Sequence, residues 1–192
     1  MNKAIFLDKD GTLIPDIPYN VDPALIFLQE DAVEGLKTLS QNGYLLIIIS
    51  NQAGVAKGYF SEDKLQGVHH RMKELFKQYE LTLDGFYYCP HHTEGIVKEY
   101  VKDCNCRKPM PGMILQAAKD FDIDLSQSWM VGDILNDVEA GNRAGCKTVL
   151  IDNGNETEWV QGEYRTPDYT CKNINEAAGN ILKMNWHELA EL

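Results

Sequence analysis

Two acids stand two residues apart in Asp8-Lys9-Asp10-Gly11-Thr12, directly after the apolar run Ala4-Ile5-Phe6-Leu7. Taken alone, Asp-Gly-Thr reads as an Asx-type turn ending a strand. The spacing also suits phosphoryl transfer. An aspartate can attack phosphorus to form an aspartyl phosphate once Mg²⁺ and nearby donors offset the repulsion between two anions. Asp8 is the candidate nucleophile. Asp10 is placed to protonate the leaving oxygen and then to take a proton from the water that cleaves the aspartyl phosphate. Gly11 permits a sharp backbone turn beside the pair.

Further pieces of this chemistry fall at the ends of later apolar runs. Ser50 closes Leu46-Ile47-Ile48-Ile49, and its hydroxyl with the amides of Asn51 and Gln52 can hold phosphoryl oxygens. Arg107-Lys108-Pro109 supplies two cations, Arg107 for bidentate phosphate contact and Lys108 as a point charge on the transferred group. Gly132-Asp133 ends the run from Trp129, and Asp133 is the expected further Mg²⁺ ligand. Asp137, one helical turn on, is expected to orient the others rather than to ligate.

Cys89-Pro90-His91 and Cys104-Asn105-Cys106 form two close pairs of soft ligands separated by the insert His92–Asp103. Cys89, His91, Cys104 and Cys106 suit a tetrahedral Zn²⁺ site with no open position, hence a structural one. Cys106 adjoins Arg107, so a metal here would staple a long loop and place the cations that follow. His92 competes with His91, which is preferred because one intervening residue turns an extended pair to the same side. Cys146 and Cys171 read as small buried hydrophobes.

The elements that must carry these residues alternate. Apolar runs at Ala4–Leu7, Leu45–Ile49, Phe86–Tyr88, Met130–Val131 and Thr148–Ile151 read as strands covered on both faces. Helical patterns lie between them: one capped by Asp31 with Glu34 and stopped at Gly43, and one capped by Ser61 with Leu65, Val68, Met72 and Phe76 on one face. Others run from Pro111 to about Phe121, from about Leu135 to Ala144, and from Asn173 to Lys183. Strand-helix alternation implies an α/β, Rossmann-like three-layer fold with a central parallel sheet and its site beyond the carboxyl ends of the strands. The two long irregular stretches, Gly11–Leu28 and Cys89–Met110, each follow a strand there. Neither has room for a large cap domain, so the 192 residues read as one domain. Asn153–Leu192, with Trp159 and Trp186, reads as a closing strand, a helix and a tail without chemistry. His69-His70 is likewise set aside as an ordinary helix pair, and Lys57, which after the Asn51-Gln52 loop could meet a distal phosphate, is read as a solvated lysine.

Eighteen basic against 29 acidic residues give a net charge of −11, which disfavours nucleic-acid partners. No apolar run reaches the ~20 residues of a membrane span, and Met1–Leu7 lacks the charged start of a signal peptide. A cytoplasmic, membrane-free monomer acting on a small molecule is the expectation. Three of the five cysteines crowd into one stretch, which fits metal binding in a reducing compartment.

Asp8-x-Asp10-Gly11-Thr12, Ser50, Lys108 and Gly132-Asp133-x-x-x-Asp137 together resemble the haloacid-dehalogenase superfamily of phosphohydrolases over roughly residues 3–152. The resemblance implies Asp8 as nucleophile and Asp10 as acid and base. It also implies Mg²⁺ held by Asp8, the Asp10 carbonyl and Asp133. Cys-Pro-His with Cys-x-Cys-Arg-Lys-Pro is similar to the zinc-containing branch acting on heptose bisphosphates and histidinol phosphate, and the long insert resembles the heptose side. By that resemblance Asp16, Tyr19, Ser50, Asn51, Gln52, Ala53, Arg107 and Lys108 contact substrate. The implied reaction removes the C7 phosphate of a heptose 1,7-bisphosphate, within lipopolysaccharide or other surface-glycan biosynthesis. Ile134 departs from the lysine that many such sequences carry after the last-motif Asp. The rival readings are a histidinol-phosphate phosphatase and a non-catalytic, zinc-stapled phospho-acceptor module. Asp10 argues against the latter, since a lasting acyl phosphate gains nothing from an acid/base group two residues away.

Overall fold

The computed structural model describes residues 1–190, with side chains through Met184. The expectation for Trp186 and the terminal residues lies outside this part. Six strands form one sheet in the order β3-β2-β1-β4-β5-β6: β1 (Lys3–Leu7), β2 (Tyr44–Asn51), β3 (Gly85–Cys89), β4 (Trp129–Gly132), β5 (Lys147–Ile151) and β6 (Tyr169–Cys171). All five pairings are parallel. The chain leaves β1 toward β2 on one side and returns through β4 on the other, so the crevice for a ligand opens where β1 meets β4.

Residue alternation along β1 builds the layers. Ile5 and Leu7 join one core with Leu36 and Leu39 of α1 (Glu30–Gln41), Val68 and Met72 of α2 (Lys64–Gln78), and Ala177 and Ile181 of α5 (Ile174–Ala190). Ala4 and Phe6 face the opposite core with Ile114 and Ala117 of α3 (Gly112–Asp120) and Ala140 of α4 (Leu135–Ala144). Both faces are therefore covered, which is why the strands lack polar alternation. Among the described residues no helix is long and apolar enough to cross a membrane. The two long loops contain only short 3₁₀ turns, Pro23–Leu25 and Lys98–Tyr100, and no cap domain.

Three helix starts differ from expectation. Gln29, not Asp31, occupies the cap position of α1 and makes no side-chain cap bond there. Its amide nitrogen turns back to the carbonyls of Gly11 and Thr12, both at 3.3 Å, so tethering of the turn after β1 wins over capping. Asp31 lies inside the first turn, where its charge meets the helix dipole. In α2 the cap position falls to Asp63, and Ser61 contributes its carbonyl to the Lys64 amide at 3.0 Å. Pro111 precedes α3 rather than opening it. Gly43, with φ +81°, takes the left-handed step just beyond α1, as its glycine suggested.

Candidate active site

Hydrogen-bonding of the Asp8 amide to the Val131 carbonyl at 2.9 Å draws the turn after β1 across to β4. That turn brings Asp8 beside Asp133, and carboxylate oxygens of Asp8, Asp133 and Asp137 lie within 4.8 Å of one another, all three residues buried. Lys108 arrives from a loop a hundred residues away. Its Nζ lies 2.5 Å from Asp8 Oδ1, 2.6 Å from Asp137 Oδ1 and 2.9 Å from the Ile49 carbonyl.

Electrostatics follow from this burial. Loss of water, only partly countered by Lys108, pushes the Asp8 carboxyl up to about 6. Burial, reinforced by Asp8 and Asp137, pushes Asp133 up to about 8. Burial alone would lower the Lys108 ammonium, but Asp137 and Asp8 outweigh it and hold it above its ordinary range. Asp137 is thus committed to Lys108, and its other oxygen accepts the Ile134 amide at 3.2 Å. Asp133 accepts from Thr12 Oγ1 at 3.1 Å and Asn155 Nδ2 at 2.6 Å.

Asp10 turns the other way, into a cleft of about 440 Å³. One of its oxygens pairs with the buried Lys9 ammonium, and the other accepts from Gln52 Nε2 at 3.2 Å. Burial raises its carboxyl above the usual range despite Lys9. Asp16, Tyr19, Asn51, Gln52, Ala53 and Arg107 line the same cleft, together with Lys57 and Ile134. Ser50 and Lys108 are buried and do not line it.

Among the groups expected to meet phosphoryl oxygens, the Gln52 amide already has a partner in the protein, and Ser50 Oγ serves as an acceptor. The Gln52 amide donates to the Cys89 carbonyl at 2.8 Å, and Gln52 Nε2 donates to Ser50 Oγ at 2.7 Å. The Asn51 side chain binds the main chain of Lys108 at both ends. Lys57, weighed for a distal phosphate and then set aside as solvated, lines the cleft, its Nζ 3.0 Å from Tyr19 Oη. The segment after β5, expected to carry no chemistry, contributes Asn155 to Asp133 and Asn153 to the Gly11 carbonyl at 2.7 Å. Nothing local in the sequence marks that contact.

Beside the cleft, Cys89, His91, Cys104 and Cys106 each bring one donor atom within 4.8 Å of the others. Cys106 Sγ lies 2.9 Å from Cys89 Sγ and 3.2 Å from Cys104 Sγ, and His91 Nδ1 lies 3.3 Å from Cys106 Sγ. His91 supplies the imidazole of this cluster, while His92 accepts the Glu94 amide at 3.0 Å. All five cysteines are free thiols. Arg107 Nη1 donates to the His91 carbonyl at 3.4 Å, linking this cluster to the cleft wall.

Comparison with known proteins agrees with this geometry. A HAD-hydrolase-like family matches residues 105–177. The D-glycero-beta-D-manno-heptose-1,7-bisphosphate 7-phosphatase of Pasteurella multocida is 48% identical over 155 residues, spanning 80% of this chain and 84% of that one. The chain belongs to the heptose-1,7-bisphosphate 7-phosphatase family. The Haemophilus influenzae member of the heptose-1,7-bisphosphate 7-phosphatase family is 46% identical, over 80% of this chain and 84% of its own. A crystal structure of D,D-heptose 1,7-bisphosphate phosphatase from B. bronchiseptica, complexed with magnesium and phosphate, superposes with TM-score 0.80 at 30% identity. It covers 95% of this chain and 99% of its own. Membership in the heptose-1,7-bisphosphate 7-phosphatase family makes the chain a HAD-type phosphomonoesterase.

Proposed function

We propose that the chain hydrolyses the C7 phosphate of a heptose 1,7-bisphosphate through an aspartyl phosphate on Asp8. The observation that carries this is the buried Asp8 carboxylate, with Lys108 Nζ at 2.5 Å and the Asp133 carboxylate close by, two residues before Asp10, which lines the cleft. Relatives named for this reaction support the substrate.

The donors fit Mg²⁺. Asp8 and Asp133 offer hard oxygen donors and are buried together; burial raises both carboxyls, and Asp8 raises Asp133 further. Asp8, the Asp10 carbonyl and Asp133 would hold it. When bound, Mg²⁺ supplies the positive charge that lets a phosphate approach Asp8 and draws electron density from phosphorus. Asp8 attacks phosphorus. Asp10, whose carboxyl burial raises above its ordinary value, gives a proton to the departing sugar oxygen, then accepts one from the attacking water. Lys108 keeps Asp8 ionised and aimed, and its charge serves the transferred group. Lys57 and Arg107, the cations of the cleft, meet the distal phosphate.

The thiol and imidazole cluster fits Zn²⁺. Three soft sulfurs and one nitrogen surround a common centre, with separations somewhat below the ~3.8 Å edge expected for ~2.3 Å zinc–sulfur bonds. We read it as structural, holding the His91 carbonyl on which Arg107 rests. The 192 residues act as one phosphatase domain in this reading, as a cytoplasmic monomer; the charge of −11 disfavours nucleic-acid partners.

Turnover of heptose 1,7-bisphosphate beside histidinol phosphate, with Mg²⁺, tests the substrate: faster hydrolysis of the second overturns the choice. A chiral phosphate ester tests the intermediate. Two displacements retain configuration at phosphorus, whereas inversion removes the aspartyl phosphate.

A further inference from the structure

The loop after β5 is tied to both halves of the catalytic site. Asn153 Nδ2 donates to the Gly11 carbonyl at 2.7 Å, and Asn153 Oδ1 accepts the Asn155 amide at 3.1 Å. Asn155 Nδ2 then donates to Asp133 Oδ2 at 2.6 Å. Glu156 closes the far end, its Oε2 accepting the Leu135 amide at 2.7 Å, and its Oε1 the amides of Glu158 and Trp159 at 2.9 and 3.2 Å. One continuous chain of hydrogen bonds therefore joins the turn after β1 to the carboxylate after β4.

Packing at Gly11 shows how closely these groups meet. A Cβ at this position would lie 2.1 Å from Asp133 Oδ2 and 2.5 Å from Asn155 Nδ2. Gly11 also has φ +85°, so glycine is required there twice over, for its backbone and for the space it leaves.

We propose that Asn155, supported by Asn153, is a positioning residue that holds Asp133 for the divalent cation and thereby sets its affinity. The inference rests on Asp133 as a Mg²⁺ ligand. With Thr12 on Oδ1 and Asn155 on Oδ2, the carboxylate plane cannot rotate, and its remaining lone pairs stay available toward Asp8. Losing such an outer partner weakens metal binding by roughly 10- to 100-fold.

The test is Mg²⁺ titrated into zinc-loaded, Mg²⁺-free full-length protein by calorimetry, for the parent, Asn155→Leu and Asn153→Ala. Asn155→Leu keeps the volume and removes the donor; its Mg²⁺ Kd should rise roughly 10- to 100-fold. Asn153→Ala should raise it by a smaller factor. At saturating Mg²⁺ the KM for substrate in both variants should stay within about twofold of the parent, a split that mere loosening of the fold would not produce. A folded Asn155→Leu protein with parental Mg²⁺ affinity overturns the inference. If Asn155→Leu does not fold, unchanged affinity in Asn153→Ala does so instead. A parent that binds no Mg²⁺ removes the underlying reading of Asp133 as well, which separates the two failures.

Discussion

Asn51 clasps the main chain of Lys108 with both ends of its side-chain amide: Nδ2 donates to the Lys108 carbonyl and Oδ1 accepts the Lys108 amide, each at 3.0 Å. The strand that ends in Asn51 is paired directly with β1, so this clasp sets the base of Lys108 relative to Asp8. Asn51→Ala should lower kcat by about 10- to 100-fold, because a displacement near 1 Å at a reacting group has that order of effect. Its stability should fall by only about 1–3 kcal/mol. Steady-state kinetics with urea unfolding check both, and an unchanged kcat rejects the role.

Lys108 is the counter-charge of two buried carboxylates. Lys108→Met should abolish turnover and cost about 3–5 kcal/mol of stability, since Asp8 and Asp137 are left buried without a partner. Lys108→Arg should not restore activity, because a planar fork does not fit a site built around one point charge. Denaturant unfolding and turnover assays measure the two effects, and near-parental activity in either variant contradicts the assignment.

As the proposed Mg²⁺ ligands, Asp8 and Asp133 would make metal binding pH-dependent. Their folded pKa values, about 6 and about 8, lie above the unfolded carboxyl value near ~3.9. Raised values mean that the folded protein favours the protonated forms. Stability from these groups is full below about pH 4 and is lost as pH rises through 6 and then 8 when no cation is present. Mg²⁺ takes the ionised forms, so the gain in Tm on adding it should grow between about pH 5 and pH 8. Melting curves with and without Mg²⁺ across that range decide it; a gain that shrinks with pH has the wrong sign.

In the proposed reaction Lys57 and the thiol and imidazole cluster serve substrate binding rather than the chemical step. Lys57→Ala should raise KM for the bisphosphate by about five- to tenfold, and change KM by less than about twofold for a monophosphate ester lacking the distal group. Equal effects on both esters would remove Lys57 from distal-phosphate binding.

Removal of zinc by a chelator should expose the thiols of Cys89, Cys104 and Cys106 to a thiol reagent and raise KM through Arg107. Metal analysis and thiol titration follow the loss. Parental KM in the zinc-free protein would detach the cluster from the cleft.

Much of this was readable along the chain, and the reason is local. Apolar runs alternating with helical patterns announce a parallel sheet, and a site on such a sheet lies at its carboxyl edge. Asp8, Asp10, Ser50 and Asp133 could therefore be proposed from position, and Cys89, Cys104 and Cys106 with one of two adjacent histidines from ligand type and spacing. Helix caps were less legible. Gln29 holds the carbonyls of Gly11 and Thr12 instead of capping α1, because a tertiary hydrogen bond won over a local one.

What only the folded chain decided is which atoms meet across long separations. Residue types determined that carboxylates, cations and thiols would be present and in what order. Tertiary packing determined that Lys108 stands between Asp8 and Asp137, that Asn51 serves Lys108, that His91 rather than His92 faces the thiols, and that Asn155 reaches Asp133. A side chain's hydrogen-bond partner depends on the space left by the core and on the geometry of turns far apart in sequence. Neither leaves a periodic trace for sequence reading to find.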